Sequence, residues 1–214
     1  MTKQIYVLVI TPHPDDAEFG VAGTVALWTA QGKDVVYAVC TNGDKGTSDR
    51  NMKPELLAEI RKKEQLAAAK VLGVREVVFL QYPDQGLEDT PDFRKEIVRL
   101  IRKYRPEIVA TVDPYRRYVW HRDHRITGQV VLDALFPYAR DHLSYPELLE
   151  ENLQPHKVKE ALLWASEEPN YWVDITSSFA QKEKALFCHE SQVGGSRAPA
   201  IKKWLRERAL IMAR

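Results

Sequence analysis

Cysteine is nearly absent from this chain. Cys40 and Cys188 are the only two in 214 residues, without CxxC spacing or the density of a secreted disulfide scaffold, so both are expected to be reduced thiols. A dominant charge is missing as well. Thirty-one Lys and Arg face thirty Asp and Glu, a formal charge of +1, which removes the overall footprint that nucleic acid or an anionic membrane would require. Recognition must therefore be local. Long apolar runs are also lacking: residues 5–10, IYVLVI, reach about a third of a membrane span and carry no signal-peptide cleavage pattern, so membrane insertion is not expected and a cytoplasmic location is. There is no repeat, no low-complexity tract and no long linker. With 44% hydrophobic and 29% charged residues, the chain reads as one domain, 1–214, able to bury a substantial core.

Apolar runs and helical patterns alternate along the chain. The β-branched run 5–10 is stopped by Pro12 and Pro14 and predicts a buried strand ending near His13. A helix is expected over 18–31, a strand over 35–40 closed by the turn-rich 41–46, and a long helix over 55–72 stopped by Gly73. Further strands are expected at 77–80 and 108–112, with a helix at 93–104 between them. Beyond these the pattern predicts a helix from Gln129 to about Ala139, a flexible flap over 141–157, a strand at 158–164, a short strand at 174–176, and helices at 179–188 and 201–213. Such alternation points to an α/β fold with a mostly parallel sheet covered by helices on both faces. Ligands in such folds sit beyond the carboxyl ends of the strands, where His13, Asn42, Tyr82 and Asp113 fall.

The densest chemistry is Thr11-Pro12-His13-Pro14-Asp15-Asp16-Ala17-Glu18, an imidazole and three carboxylates where a buried strand meets a helix. Carboxylates there repel one another and lose hydration unless a cation neutralises them, and a divalent metal does so. Taken alone, the run also reads as the acidic first turn of a helix. A second cluster, Trp120-His121-Arg122-Asp123-His124-Arg125, has two histidines three apart that would share a helix face. It follows the strand ending at Val112 and should lie on the same sheet edge as His13 and Asp16. Together they supply a His, Asp, His ligand set with an open position, as in catalytic zinc sites, although such a set accepts other divalent ions.

These residues resemble the LmbE-like or PIG-L-like zinc-dependent N-deacetylases of N-acetylglucosamine derivatives. The resemblance rests on His13-Pro14-Asp15-Asp16-Ala17-Glu18 with Gly20, Gly23 and Thr24, and on His121 to His124. It extends through Arg61 and Glu64, through Tyr82-Pro83-Asp84-Gln85-Gly86-Leu87, and through His189-Glu190-Ser191-Gln192, nearly the whole chain. It implies a Rossmann-like doubly wound fold and hydrolysis of an acetamido C–N bond on a small amino-sugar substrate. It further implies that His13, Asp16 and His124 hold Zn2+, that Asp15 is the general base for the zinc-activated water, and that a protonated His121 steadies the oxyanion with Asp123 orienting it. Arg61, Asp84 and Arg116 or Arg117 are the expected substrate-binding residues. The chain departs from the family pattern at Arg122, where proline is more frequent, and at Ala22, where glycine is; neither removes a ligand.

His142 and His156 are expected to be solvated, the role of His189 is open, and a homo-oligomer is compatible with the sequence. Other functions remain in view. A metal-dependent phosphoesterase would need a second carboxylate-rich cluster, to which Asp113, Asp84 or Asn42-Gly43-Asp44 could contribute. A nucleotide-binding module would need a glycine-rich turn after the first strand, where His13-Pro14-Asp15-Asp16 stands instead. A metal-binding module without catalysis would keep the ligands but has no use for Asp15.

Overall fold

A computed structural model describes residues 4–118 and 121–212. Five strands, β1 Val7–Thr11, β2 Val35–Thr41, β3 Glu76–Tyr82, β4 Ile108–Val112 and β5 Glu160–Trp164, form one sheet in the order β3-β2-β1-β4-β5. Every pairing is parallel, with Val7 beside both Val35 and Ile108. All residues of β1, β2 and β4 are buried, whereas β3 and β5 at the edges are partly exposed. Continuous apolar runs therefore mark strands covered on both faces.

Alternate residues of β1 serve opposite cores. Val7 and Val9 pack with Val25 and Ala26 of α2 (Ala22–Ala30), Ala68 and Leu72 of α3 (Pro54–Leu72) and Ala185 of α7 (Phe179–Leu186). Leu8 and Ile10 pack with Ile97 and Ile101 of α4 (Pro91–Tyr104) and Val130 and Val131 of α5 (Arg122–Asp133). Each fully buried Val, Leu or Ile among them contributes about 1.5–3 kcal/mol relative to exposure. Gly128 allows α5 to lie close on β4, since a Cβ there would stand 2.5 Å from the Val112 carbonyl oxygen.

The strand order reverses at β1, which has β2 on one side and β4 on the other. The crevice beyond the carboxyl ends of β1 and β4 is the point where doubly wound sheets bind ligands, and the sequences after these strands carry His13 and His121.

Several expected elements differ. The helix predicted over 18–31 starts at Asp16 and breaks at Val21, whose φ of −118° and ψ of −1° separate α1 (Asp16–Gly20) from α2. The helix expected from Gln129 already begins at Arg122 and is continued by an irregular turn, Ala134–Tyr138. Residues 174–176 form no strand: Asp174 Oδ1 accepts from Thr176 N at 2.8 Å and Thr176 Oγ1 at 2.6 Å, a local bonding pattern that competes with extended pairing, and a 3-10 turn follows over Thr176–Ser178. After α7 come the short α8 (Glu190–Val193), a 3-10 turn over Gly195–Arg197 and the last helix α9 (Ala198–Met212); Ala213 of the expected last helix lies outside the described residues.

The segment 141–157, expected as a flap, is packed along α4 and at the amino end of β4. It contains α6 (Glu147–Glu150) with Leu148 fully buried. The buried Arg102 guanidinium donates to the carbonyls of Ala139, Tyr138, Asp141 and Ser144 at 2.8–3.2 Å. His156, expected to be solvated, is buried with Nε2 2.7 Å from the Pro106 carbonyl; His142 is exposed as expected. The sequence signal of prolines and charge was that of a loop, but it could not show a buried arginine gathering the loop's carbonyls. Replacing Arg102 by Met leaves those carbonyls unpaired, and we expect a loss of about 2–4 kcal/mol in urea denaturation, with new proteolytic cleavage inside 141–157. Unchanged stability and cleavage would show the segment to be loosely attached.

Candidate metal centre and active site

The turn after β1 is tied to its neighbours before any side-chain chemistry begins. Thr41 N, at the end of β2, donates to Pro12 O at 2.8 Å, and His13 N donates to Asp16 Oδ2 at 3.0 Å. Asp16 opens α1. Its Oδ2 also lies 2.9 Å from His13 Nδ1 and 3.2 Å from His124 Nε2, so one carboxylate oxygen joins the three expected ligands. His121 directly precedes α5 in an extended conformation rather than within the helix, yet its ring still joins the cluster. The centroid separations are 4.6 Å for His13 and His121, 5.2 Å for His13 and His124, and 5.1 Å for His121 and His124.

Two more carboxylates close the other side. Asp84 Oδ1 and Asp123 Oδ2 each lie 3.1 Å from His13 Nε2. Asp123 is fully buried and accepts from Gln85 N at 2.6 Å and Leu87 N at 3.2 Å. It therefore braces His13, where the resemblance had it orienting His121. The motif Tyr82 to Leu87 supplies both backbone donors, which gives that stretch a structural reason.

The electrostatics follow from this crowding. Burial alone would depress His13, but Asp123, Asp16 and Asp84 outweigh it and raise the ring to about 11. Burial would raise Asp16, but His124 and His13 hold it well below the usual carboxylate range. Asp84 and Asp123 are likewise lowered by His13 against the effect of burial. His121 is lowered by burial and by His13 and His124, which favours a neutral imidazole over the protonated one expected. Asp15 behaves oppositely: burial and the charge of Asp16 push its carboxyl up to about 7, against the pull of Arg61.

Three carboxylates, those of Asp16, Asp84 and Asp123, thus surround one strongly basic ring, and Asp84 Oδ1, buried 3.1 Å from its Nε2, makes no hydrogen bond of good geometry among the described residues. Donor atoms of His13, His121 and His124, and of His13, Asp84, His121 and Asp123, lie within 4.8 Å of one another. Such a set of imidazole nitrogens and carboxylate oxygens fits a divalent cation, which would balance the excess negative charge.

Arg61, expected on the substrate, has both terminal nitrogens engaged inside the protein, Nη2 with Pro14 O at 2.5 Å and Asp15 Oδ1 at 3.3 Å and Nη1 with Gly43 O at 3.0 Å, while its Nε is buried without a partner among the described residues. Gly43 has φ +65° and a Cβ there would meet Arg61 at 2.5 Å, so glycine is required twice over. Arg116 stands apart from the histidines, lining a groove of about 660 Å³ with Arg117, Trp164 and Tyr171. Trp120 of the second motif lies outside the described residues.

Three residues that sequence reasoning left without a role converge behind Asp15. Glu18, Gln65 and His189 are each fully buried, and Ser191 is fixed to Glu64 of α3 through its N at 2.7 Å and Oγ at 2.6 Å. The signal available for Gln65 was its place one turn after Arg61 on the same helix.

The PIG-L family, described as GlcNAc-PI de-N-acetylase, matches residues 8–135, a span that includes both histidine motifs. The chain belongs to this family. Among curated PIG-L relatives, diacetylchitobiose deacetylase of Thermococcus kodakarensis is 38% identical over 186 residues, covering 87% of this chain and 69% of its own. Mycothiol S-conjugate amidase of Streptomyces coelicolor is 30% identical over 231 residues, covering 88% of this chain and 77% of its own. The solved structure of N,N'-diacetylchitobiose deacetylase from Pyrococcus horikoshii, complexed with its inhibitor, superposes with a TM-score of 0.92 at 33% identity, covering 96% of this chain and 77% of that one. The doubly wound single-domain fold is thereby that of a deacetylase structure. Among the described residues no helix is long and apolar enough to cross a membrane.

The raised Asp15 carboxyl has a consequence for stability. Its folded value of about 7 lies above the ordinary 3.8, so between these the unfolded chain releases the proton and the folded chain keeps it. Stability from this group is lost as pH rises through that window. Asp15→Asn should therefore stabilise the chelated protein on the order of 2 kcal/mol at pH 8 and by almost nothing at pH 4, measured as thermal melts across pH. Equal melting temperatures at both ends would contradict the buried, repelled state of this carboxylate.

Proposed function

We propose that this chain is a zinc-dependent N-deacetylase that hydrolyses the acetamido group of an N-acetylglucosamine-type amino sugar or a small conjugate of it. The observation that carries the reading is Asp15, a buried carboxyl raised to about 7 directly beside the His13, Asp16, His124 set. A structural acidic cluster has no need of a carboxyl poised near neutrality, whereas a general base does. The deacetylases named above supply the substrate class.

His13, Asp16 and His124 would hold the metal, which when bound supplies Lewis acidity towards the amide carbonyl and a more acidic water. Asp15 takes a proton from the attacking water as its oxygen bonds to the carbonyl carbon. Arg61 keeps the carboxylate in place through its contact with Oδ1. His121, neutral and at the edge of the cluster, donates a hydrogen bond to the oxyanion. As the C–N bond breaks, Asp15 returns the proton to the departing amine, so the products are acetate and the free amino sugar. Asp84, facing the cluster from the β3–α4 loop, is the acceptor for a sugar hydroxyl. Arg61 acts on Asp15, and Arg116 on parts of the substrate beyond the acetamido ring.

Against a phosphoesterase reading, Asp84 joins the His13 cluster instead of building a separate one with Asp44 and Asp113. Asp44 Oδ1 is spent on Asp84 N at 3.1 Å and Asp113 Oδ1 on Tyr115 N at 2.8 Å. The test is acetate release from N-acetylglucosamine and diacetylchitobiose together with metal content. Asp15→Asn should keep the metal and lose about a thousandfold or more in kcat, and His124→Ala should lose metal and activity together. Metal binding without acetate release from any acetamido sugar would defeat the assignment.

A further inference from the structure

The Pro14–Asp15 peptide group is held from both sides by two side chains one turn apart on α3. Its carbonyl accepts from Arg61 Nη2 at 2.5 Å, and its N–H donates to Gln65 Oε1 at 3.2 Å. Asp15 has φ 105°, a region that strains a non-glycine residue and persists only where neighbours over-determine it. Without such a clamp the peptide would relax and carry the carboxylate with it.

Gln65 is itself held one way round. Its Nε2 donates to Glu18 Oε1 at 3.1 Å. Because a backbone N–H only donates and a carboxylate only accepts, the amide oxygen must face Asp15 and the amide nitrogen must face Glu18. The other oxygen of Glu18, Oε2, lies 3.2 Å from His189 Nε2. His189, Glu18 and Gln65 are all 0% exposed, so the chain of bonds runs through the interior and ends on the backbone of the base. The HESQ motif near the end of the sequence is thereby connected to the HPDD motif near its start.

We propose that Gln65, oriented by the Glu18 and His189 pair, is a positioning residue that fixes the Pro14–Asp15 peptide and so aims the Asp15 carboxylate. The kinetic part of its test rests on the deacetylase reading; the structural part does not.

The experiment compares Gln65→Met, Gln65→Glu and the double variant Glu18→Gln with Gln65→Glu. It reads metal content, kcat and KM on diacetylchitobiose, and hydrogen exchange of the Asp15 amide by NMR. Gln65→Met should keep its metal and KM while kcat falls about 30- to 100-fold, the scale of a misplaced reacting group, and exchange of the Asp15 amide should accelerate at least about tenfold. Gln65→Glu sets two carboxylates against each other and should be worse. The double variant restores the order of donors and acceptors, with the amide now at position 18 donating to the carboxylate at position 65. It should recover Asp15 protection and bring kcat within about tenfold of wild type. If exchange and kcat are unchanged in Gln65→Met, or the double variant is no better than Gln65→Glu, the proposal is overturned. Should Gln65→Met fail to fold, the comparison of Gln65→Glu with the double variant decides alone. If wild type releases no acetate but Asp15 exchange follows the predicted pattern, the positioning role stands and the deacetylase reading falls.

Discussion

Mutual repulsion among buried carboxylates at the mouth of one crevice is the constraint around which this molecule is arranged. Asp15, Asp16, Asp84 and Asp123 converge from three separate stretches of chain. They are tolerable only because His13, His124 and Arg61 stand among them and because backbone amides cap Asp123. The sheet makes the convergence possible. Its order reverses at β1, so the turns after β1 and β4 open onto one crevice, with the β3–α4 loop closing it. Such a cluster destabilises the fold in proportion to how well it suits a cation, and the closely packed helices on both faces offset that cost.

Two halves of the site obey different rules. Around His13 and His124, carboxylates are drawn below their ordinary range by imidazoles. One residue earlier, Asp15 is driven upwards by burial and by Asp16. Adjacent residues can diverge in this way because the left-handed φ of Asp15 turns its side chain towards α3 while Asp16 enters α1. Environment rather than residue type therefore separates the proposed ligand from the proposed base.

Much of this was legible in the sequence. The runs 5–10, 35–40 and 108–112 read as buried strands because both faces are covered, so no polar alternation interrupts them. HPDDAE taken alone also fits an acidic first turn, and it reads as chemistry because HRDH follows a strand on the same sheet edge. What stayed hidden depends on partners remote in sequence. Arg102 looks like any helix-surface cation, yet it gathers the carbonyls that turn an expected flap into packed structure. Arg61 resembled a substrate arginine and is spent on Pro14 and Gly43. Gln65 carries no motif of its own, since its meaning lies in Glu18 and in the backbone of Asp15. The resemblance paired Asp123 with the neighbouring His121, but it bonds to His13, 110 residues away.

The most direct measurement is calorimetric titration of zinc into the chelated protein at pH 7.5, repeated in two buffers of different ionisation enthalpy. About one ion per chain should bind with release of about one proton, because the cation takes over the role that the His13 proton plays among the three carboxylates. Loss of both the heat and the proton in His124→Ala would place the ion at this cluster. Absence of binding, or binding that releases no proton and survives that substitution, would contradict the claim that the crevice is organised around a metal.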